Sequence, residues 1–197
     1  MNGSIHDRIR IKHVKVLSDD WAILKKTTFD YLRKDGTWQT QNRETYDRGN
    51  GAVILLYNRT ARTVVLIRQF RLPAYVNGHP EPLIEAPAGR LDADDPETCI
   101  RKETEEETGY RVSQPRRVFN AFMSPGSITE RLVFFVAEYD PSDRIAAGGG
   151  DASEGEEIEV IEPTLEAALA MIERGDIIDA KTIMLLQYAQ LKGLLAG

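Results

Sequence analysis

Three carboxylates on one short predicted helix are the residues of this chain best suited to chemistry. Glu103 and Glu107 are four residues apart, so they share one helix face, with Glu106 beside them. Like charges at this spacing destabilise a helix. A divalent cation offsets that cost, because Mg²⁺ prefers oxygen ligands, and such cations neutralise phosphate groups. The cluster therefore predicts a metal site that acts on a phosphate compound; a solvated acidic face is the alternative.

The acidic cluster lies on a segment with helix signals at both ends. Asp95 before Pro96 is a typical helix start, because Asp caps exposed backbone N–H groups and Pro fits the first helical position. Gly109 is a typical helix end. The sequence therefore predicts a helix over residues 96–108, with a loop around Gly89 ahead of it.

Composition indicates an ordinary globular chain that is acidic overall. Its 197 residues are 42% hydrophobic with a net charge of −6, which suits one domain or one domain with an appendage. The charge and the absence of a basic block argue against a nucleic-acid surface. The single cysteine, Cys99, excludes an intrachain disulfide and favours a reducing compartment; we expect it in the core. Residues 1–12 are unlike a signal peptide and no apolar run approaches membrane length, so we expect a cytoplasmic protein away from membranes.

Residues 1–46 have the pattern of a small N-terminal β subdomain, and we assign residues 47–197 to a main domain. Three strand-like runs with turn signals between them make up the first part: residues 13–17, 21–31 and 37–47. Such a sheet has little core of its own. We therefore expect it to pack on the main domain or on a partner subunit.

The main domain combines strand-like and helix-like runs, which predicts an α/β fold with a mixed sheet covered on both faces. The strand runs are residues 52–57, 64–70, 83–86, 118–122, 132–139 and 158–161. The helical runs are residues 96–108, 165–173 and 180–195. A glycine-rich stretch over 142–156 predicts a long flexible loop, and long loops inside compact domains are often functional.

The acidic segment resembles the signature of the Nudix hydrolases. That signature is Gly, five residues, Glu, seven residues, and then Arg-Glu-hydrophobic-any-Glu-Glu-any-Gly-hydrophobic. Residues 102–110 read Lys-Glu-Thr-Glu-Glu-Glu-Thr-Gly-Tyr and match its three carboxylates and its glycine. Four features depart from it. Gly89 is one residue too close, Asp95 stands where the first Glu is expected, and Lys102 and Thr104 replace the Arg and the apolar residue.

Other segments resemble one branch of that family, the GDP-mannose pyrophosphatases, which are close to the ADP-ribose pyrophosphatases. The shortened spacing with an Arg-Lys-Glu run is a habit of this branch, and the likeness extends from about Leu17 to Leu186. The matching segments are residues 46–51, 65–71, 75–78, 123–126, 147–150 and 179–182.

The resemblance implies a fold, an assembly and a reaction. The fold is a Nudix-type α/β/α sandwich with a mixed sheet, and the assembly is a homodimer with shared active sites, in which the N-terminal strands lie across the partner. The reaction is metal-dependent hydrolysis of the diphosphate link of a nucleoside diphosphate sugar, with GDP-mannose giving GMP and mannose 1-phosphate. ADP-ribose is the alternative substrate. A non-catalytic sensor of nucleotide sugars with the same fold is the alternative role.

The resemblance also implies which residues hold the metal ion, Mg²⁺ or Mn²⁺ in its place. Glu103 and Glu107 are the expected carboxylate ligands. The backbone carbonyl of Ala88 is carried over from the family as a further ligand. Glu106 is either another ligand or a residue that orients one.

A general base is expected on the glycine-rich loop. Glu156 matches the family's loop carboxylate, which also reaches the metal, so Glu156 and Glu107 are the expected catalytic residues. Glu154 and Glu157 are close alternatives to Glu156, because loop alignments slip easily.

Substrate contacts require cations for phosphate and polar or stacking groups for base and sugar. By matched position, Arg71 is expected at a phosphate, Glu130 near the sugar and Lys181 near the charged end of the substrate. Trp21 is expected to stack on the substrate, with the core of the N-terminal sheet as its alternative place. The other expected contacts are Asn42, Arg43 and Glu44 from the N-terminal strands of the partner chain, and Ala88 and Gly89. A surface ion pair is the alternative for Arg43 and Glu44.

Overall fold

A computed structural model describes residues 4–195, apart from the side chain of Glu154. Glu154, one alternative for the general base, therefore lies outside the described side chains. The chain forms two compact units. The first comprises residues 1–50 and 122–131, and the second comprises residues 51–121 and 132–197. The division after residue 46 stays a prediction.

Ten strands and four helices are present within the described residues. The strands are β1 (Ile9–Asp19), β2 (Ile23–Leu32), β3 (Trp38–Asp47), β4 (Gly51–Asn58), β5 (Thr63–Gln69), β6 (Leu83–Glu85), β7 (Ala88–Arg90), β8 (Arg116–Phe122), β9 (Arg131–Glu138) and β10 (Ile158–Ile161). The helices are α1 (Leu72–Val76), α2 (Pro96–Thr108), α3 (Leu165–Arg174) and α4 (Ala180–Leu191). The predicted mixed α/β fold is confirmed.

Several predicted element bounds are wrong, and each has a local cause. Helix α1 was not predicted because five residues carry no readable helical period. Residues 88–90, predicted as a loop, form β7 because they pair with β4. Trp21, predicted inside a strand, lies in the turn between β1 and β2. The last helix ends at Leu191 rather than at residue 195.

The first unit contains a three-stranded antiparallel sheet in the order β1–β2–β3. Two register shifts in β1, between Ile11 and His13 and between Val16 and Ser18, place one extra residue in the strand each time. The first shift keeps Ile11 and Val14 on the same face, although their spacing of three would otherwise separate them. The sheet therefore has a continuous apolar face along β1.

The second unit contains a seven-stranded mixed sheet whose main order is β10–β5–β4–β9–β8, with β6 paired to β5 and β7 paired to β4. Strand β4 is parallel to β9 and antiparallel to β5 and β7. Every residue of β4 is buried, so both faces of the sheet are covered at its centre. Ile100 of α2 joins the core cluster with Ile54 and Leu56, while α4 also contacts β4 and α3 contacts α4.

The signals that predicted α2 are borne out. The Asp95 carboxylate accepts hydrogen bonds from the backbone N–H groups of Glu97 and Thr98, at 3.0 and 3.2 Å. Gly109 ends the helix with a φ of 77°, a left-handed conformation that glycine adopts at little cost. With 13 residues α2 is the longest described helix, and none of the described helices has the length and apolar character needed to cross a membrane.

Two fully buried threonines of the second unit differ in what their hydroxyl groups bind. Thr104 of α2 donates to the carbonyl of Ile100 at 2.5 Å, so its hydroxyl is satisfied one helical turn away. Thr182 of α4 accepts from the backbone N–H of Ala86 at 2.7 Å and donates to Asp179 at 2.6 Å. Thr182 therefore joins α4 to the segment between β6 and β7.

We expect Thr182→Val to lower the free energy of unfolding by about 1–3 kcal/mol, because the buried N–H of Ala86 loses its acceptor. Thr104→Val is the matched control and should change it by less than about 1 kcal/mol, since only a local donor is removed. Urea denaturation followed by circular dichroism measures both values. Equal losses in the two variants would contradict the role given to Thr182.

Candidate active site

The carboxylate of Glu107 is the buried centre of the acidic cluster. Glu107 is 2% exposed, and its Oε2 accepts a hydrogen bond from the backbone N–H of Ala88 at 3.1 Å. Ala88 begins β7, which pairs with Gly51–Val53 of β4. The central sheet therefore positions the Ala88 backbone, and α2 brings the carboxylate to it.

Glu103 lies one helical turn before Glu107, directly against Gly89. A Cβ atom at Gly89 would overlap the Glu103 carboxyl group, so that side chain would have to move from its present position. Glu106 is on the exposed side of the same turn. The structure thus brings together Glu103, Glu107 and the Ala88–Gly89 backbone.

Burial, followed by the negative charge of Glu103, raises the pKa of Glu107 well above its ordinary value. The charge of Glu156 acts in the same direction, while the Ala88 hydrogen bond and the charge of Arg71 oppose the rise. Carboxylates are thus concentrated at this point beyond what the nearby cation offsets. An additional cation would favour the ionised form of Glu107.

This donor set fits a hard divalent cation. Carboxylate oxygens such as those of Glu103 and Glu107 are the ligands that such ions prefer. Within residues 4–195 no group of three or more His, Cys, Asp or Glu side chains is already arranged to hold a metal ion. The roles of Glu103 and Glu107 as metal ligands stay a prediction.

The glycine-rich segment is fixed to the end of α2 and is not simply a flexible loop. The N–H groups of Gly149 and Gly150 donate to the carbonyls of Glu107 and Glu106, at 3.0 and 3.2 Å. A Cβ at Gly148 would stand 2.6 Å from the carbonyl oxygen of Glu107, so this approach requires glycine. The terminal carbonyls of the helix thereby gain the partners that every helix end needs.

The same segment also carries Glu156. Its Oε2 accepts from the N–H of Asp151 at 3.0 Å, and its own N–H donates to the Asp151 carbonyl at 3.2 Å. Glu156 is half-buried, whereas Glu157 is exposed. Because the charge of Glu156 raises the pKa of Glu107, Glu156 lies within electrostatic reach of the buried carboxylate.

Arg71 and Lys181 meet at a second buried carboxylate, Glu85, which the sequence pattern predicts only as part of a strand. Arg71 Nε and Lys181 Nζ lie 2.9 and 2.8 Å from its two oxygens. Gln69 donates to it at 3.2 Å, and Lys181 also pairs with Asp179 at 2.9 Å. The one sequence signal was a Glu in the otherwise apolar run of residues 83–86.

Opposing effects set the charge of Glu85. Burial alone would raise its pKa, but the positive charges of Lys181 and then Arg71 outweigh burial and hold the pKa below its ordinary value. Burial would lower the pKa of Lys181, and the charges of Glu85 and Asp179 reverse that effect. The group is therefore a set of mutually stabilised ions.

Comparisons with known proteins identify the family of this chain. The family model described as "NUDIX domain" matches residues 47–186, more than half of the chain. The chain belongs to the Nudix family. It is a Nudix hydrolase, and Nudix hydrolases generally use divalent metal ions. A second family model, "GDP-mannose pyrophosphatase NudK N-terminal domain", matches residues 8–46.

Relatives that carry the name GDP-mannose pyrophosphatase are similar along nearly the whole Nudix chain. The protein from Pectobacterium atrosepticum is 55% identical over 189 residues, which cover 95% of this chain and 97% of the relative. The protein from Citrobacter koseri is 55% identical over 182 residues, 92% of this chain and 94% of the relative. The Cronobacter sakazakii protein is 53% identical with the same coverage.

The remaining predicted contacts of this Nudix hydrolase lie in its first unit. Trp21 is 82% exposed, so the core location considered for it is wrong. Asn42 and Glu44 are opposite Thr28 and Lys26 on one face of the sheet, while Arg43 is opposite Thr27 on the other face. Strand alternation therefore separates Arg43 from its two neighbours.

Glu130 also lies in the first unit. Its Oε1 is 3.5 Å from Nε of Arg48, and its side chain is largely buried at 16% exposure. The N–H of Arg131 donates to the Asn50 side chain at 2.9 Å, which fixes the chain next to Glu130. The residue predicted near the sugar is thus held in place within its own unit.

We expect Gly89→Ala to weaken binding of a divalent cation by about tenfold or more, because the new methyl group displaces the Glu103 carboxyl group. Calorimetric titration with Mg²⁺ measures the affinity. Gly126→Ala is the matched control, since a Cβ there meets nothing within 4 Å and the backbone is not left-handed. Equal Mg²⁺ affinities in the two variants would show that Glu103 is not held against Gly89.

Proposed function

We propose that this Nudix hydrolase cleaves the diphosphate link of GDP-mannose and releases GMP and mannose 1-phosphate. The observation that carries the proposal is the match of both parts of the chain to GDP-mannose pyrophosphatases. The intact cluster of Glu103, Glu106 and Glu107 supports catalysis. A nucleotide-sugar sensor would need only binding without hydrolysis.

The metal ion in this proposal is Mg²⁺, with Mn²⁺ able to take its place. Glu103, Glu107 and the Ala88 carbonyl would hold it, with Glu106 and Glu156 as further ligands. A bound ion neutralises the diphosphate and lowers the pKa of a bound water. The chain's own contribution is a buried carboxylate already in hydrogen-bond contact with the Ala88 backbone.

Glu156 is the proposed general base. Its backbone and side chain both bind Asp151, so the carboxylate is presented from a defined turn of the loop. That loop is itself anchored to the carbonyls at the end of α2. A carboxylate held near the cluster and still half-exposed can take a proton from an attacking water and pass it to solvent. Glu107, the proposed buried metal ligand, is the second proposed catalytic residue.

The substrate contacts predicted from the sequence are part of the proposal. Arg71 is suited to a phosphate, because its side chain is 39% exposed while Nε is bound to Glu85. Lys181 acts near the charged end of the substrate through the same ion group. Glu130 is proposed at the sugar, and exposed Trp21 as a stacking surface. The other proposed contacts are Asn42, Arg43, Glu44, Ala88 and Gly89.

The proposed assembly is a homodimer formed through the first unit. Ile11, Val14 and Val16 are 60%, 49% and 52% exposed on one face of the three-stranded sheet. An exposed apolar stripe of this kind is uncommon on a monomer and is typical of an interface. A second copy of the chain is the proposed partner, and neither nucleic acid nor membrane is part of the proposal.

The cytoplasm is the proposed location. Cys99 is a free buried thiol, and it is the only cysteine in the chain. Burial and the charge of Glu103 raise its pKa to about 12, which makes it inert rather than nucleophilic. A chain without disulfides suits a reducing compartment.

We expect GDP-mannose to be hydrolysed faster than ADP-ribose, ADP-glucose or GDP-glucose in the presence of Mg²⁺. Initial rates measured as released monophosphate, with equal concentrations of each compound, test this order. Glu103→Gln and Glu107→Gln should reduce the rate by about 10³-fold or more, because each removes a charged metal ligand.

A higher rate with ADP-ribose would replace the proposed substrate while keeping the chemistry. Wild-type rates in either glutamine variant would refute the metal-ligand assignment. Tight binding of GDP-mannose without turnover would favour the sensor role. Circular dichroism on the variants confirms that the fold is retained.

We expect Val14→Lys to dissociate the dimer and to lower activity with it, because a charge is buried in an apolar contact. His13→Lys is the control for the oligomeric state, since it adds the same charge at the adjacent position, which pairs with Thr28 on the opposite face of the sheet. Analytical ultracentrifugation across a concentration series measures the oligomeric state. A wild type that sediments as an active monomer would exclude the shared-site dimer.

A further inference from the structure

We infer that Glu85 is a positioning residue that holds the Arg71 guanidinium in the orientation required for a diphosphate. The inference rests on the proposed function, because it assigns a role in recognising the phosphates of that substrate. Glu85 lies on β6 and would act on the diphosphate only through Arg71. The observation behind it is the set of hydrogen bonds that converge on one buried carboxylate.

Three donors occupy the two oxygens of Glu85. Gln69 and Arg71 both donate to Oε2, at 3.2 and 2.9 Å, and Lys181 donates to Oε1 at 2.8 Å. The side chain of Glu85 is only 5% exposed. Each donor therefore meets an acceptor whose direction is fixed by the surrounding core rather than by solvent.

The bond from Arg71 uses Nε and therefore fixes the plane of the guanidinium. A guanidinium is rigid and planar, so one bond at Nε sets the direction of both terminal nitrogens. The Arg71 side chain is 39% exposed. Arg71 thus extends from a buried anchor and keeps part of its guanidinium open to a ligand.

Lys181 cannot replace Arg71 in this arrangement, because Lys181 is shared. Its Nζ lies 2.8 Å from Glu85 and 2.9 Å from Asp179, and its side chain is 12% exposed. The ammonium is therefore balanced by two carboxylates and mainly neutralises Glu85. Arg71 is the partner of Glu85 that remains partly open to a ligand.

Glu85→Gln would break this pattern of hydrogen bonds without changing the size of the side chain. Its single carbonyl oxygen can serve either Lys181 or Arg71, and its amide N–H₂ would face the other donor. We expect Glu85→Gln to raise KM for the nucleotide sugar by about tenfold, the effect of losing one charge-assisted hydrogen bond, with a smaller change in kcat.

A double-mutant cycle with Arg71→Ala tests the coupling. If Glu85 acts through Arg71, Glu85→Gln should raise KM by less than about twofold once Arg71 is absent. The dissociation constant of GDP with Mg²⁺, measured by calorimetry, is followed through the same cycle and should show the same coupling. Glu159→Gln is the control, because it removes an equal charge from the exposed pair with Arg68 and should change neither quantity.

Additive effects of Glu85→Gln and Arg71→Ala on GDP binding would overturn the inference, because a merely structural loss does not depend on Arg71. A wild type that binds no GDP would overturn it as well. A wild type that binds GDP with the expected coupling but hydrolyses no nucleotide sugar would reject the proposed function and keep the inference. If Glu85→Gln does not fold, Glu85→Asp completes the same cycle, because it keeps the buried charge and withdraws it from Arg71.

Discussion

The burial of one carboxylate, Glu107, among other carboxylates is the interaction on which the rest of this structure depends. A negative charge that leaves water loses several kcal/mol of solvation, and neighbouring Glu103 and Glu156 add repulsion. The Ala88 N–H and the charge of Arg71 recover part of this cost. Protonation of Glu107 or a bound cation would offset the remainder, and the proposed metal ion would take the second role.

Close approach of backbone to α2 is what makes this cluster compact. Gly89 leaves room for Glu103 on one side, and Gly148 lies against the last turn of the helix on the other. Both contacts would be lost with a Cβ atom, so glycine is needed for distance at Gly89 and for both distance and a left-handed φ at Gly148. The helix that carries Glu107 therefore fixes the position of the loop that carries Glu156.

Features set by neighbouring residues could be predicted from the sequence, and features set by distant ones could not. Helix α2 was predicted with its limits because Asp95 and Gly109 act within a turn of the helix ends. The role of Glu85 was not recognised, because its hydrogen-bond partners Arg71 and Lys181 are 14 and 96 residues away in the sequence. Strand β7 depends on pairing with β4, and three residues hold no period of their own. The resemblance placed Arg43 with Asn42 at the substrate, whereas a strand sends adjacent side chains to opposite faces.

Glu85 and Glu107 show two ways of keeping a carboxylate buried in one unit of the same chain. Glu85 has Lys181 and Arg71 built in, and the pKa of Glu85 is lowered despite burial. The pKa of Glu107 is raised, because the charge of Arg71 only partly offsets burial and repulsion. A lysine built in beside Glu107 would resolve that imbalance and would also close the site to a divalent ion. Glu107 is left short of positive charge while Glu85 is fully compensated, and this difference would allow the proposed site to take its cation from solution.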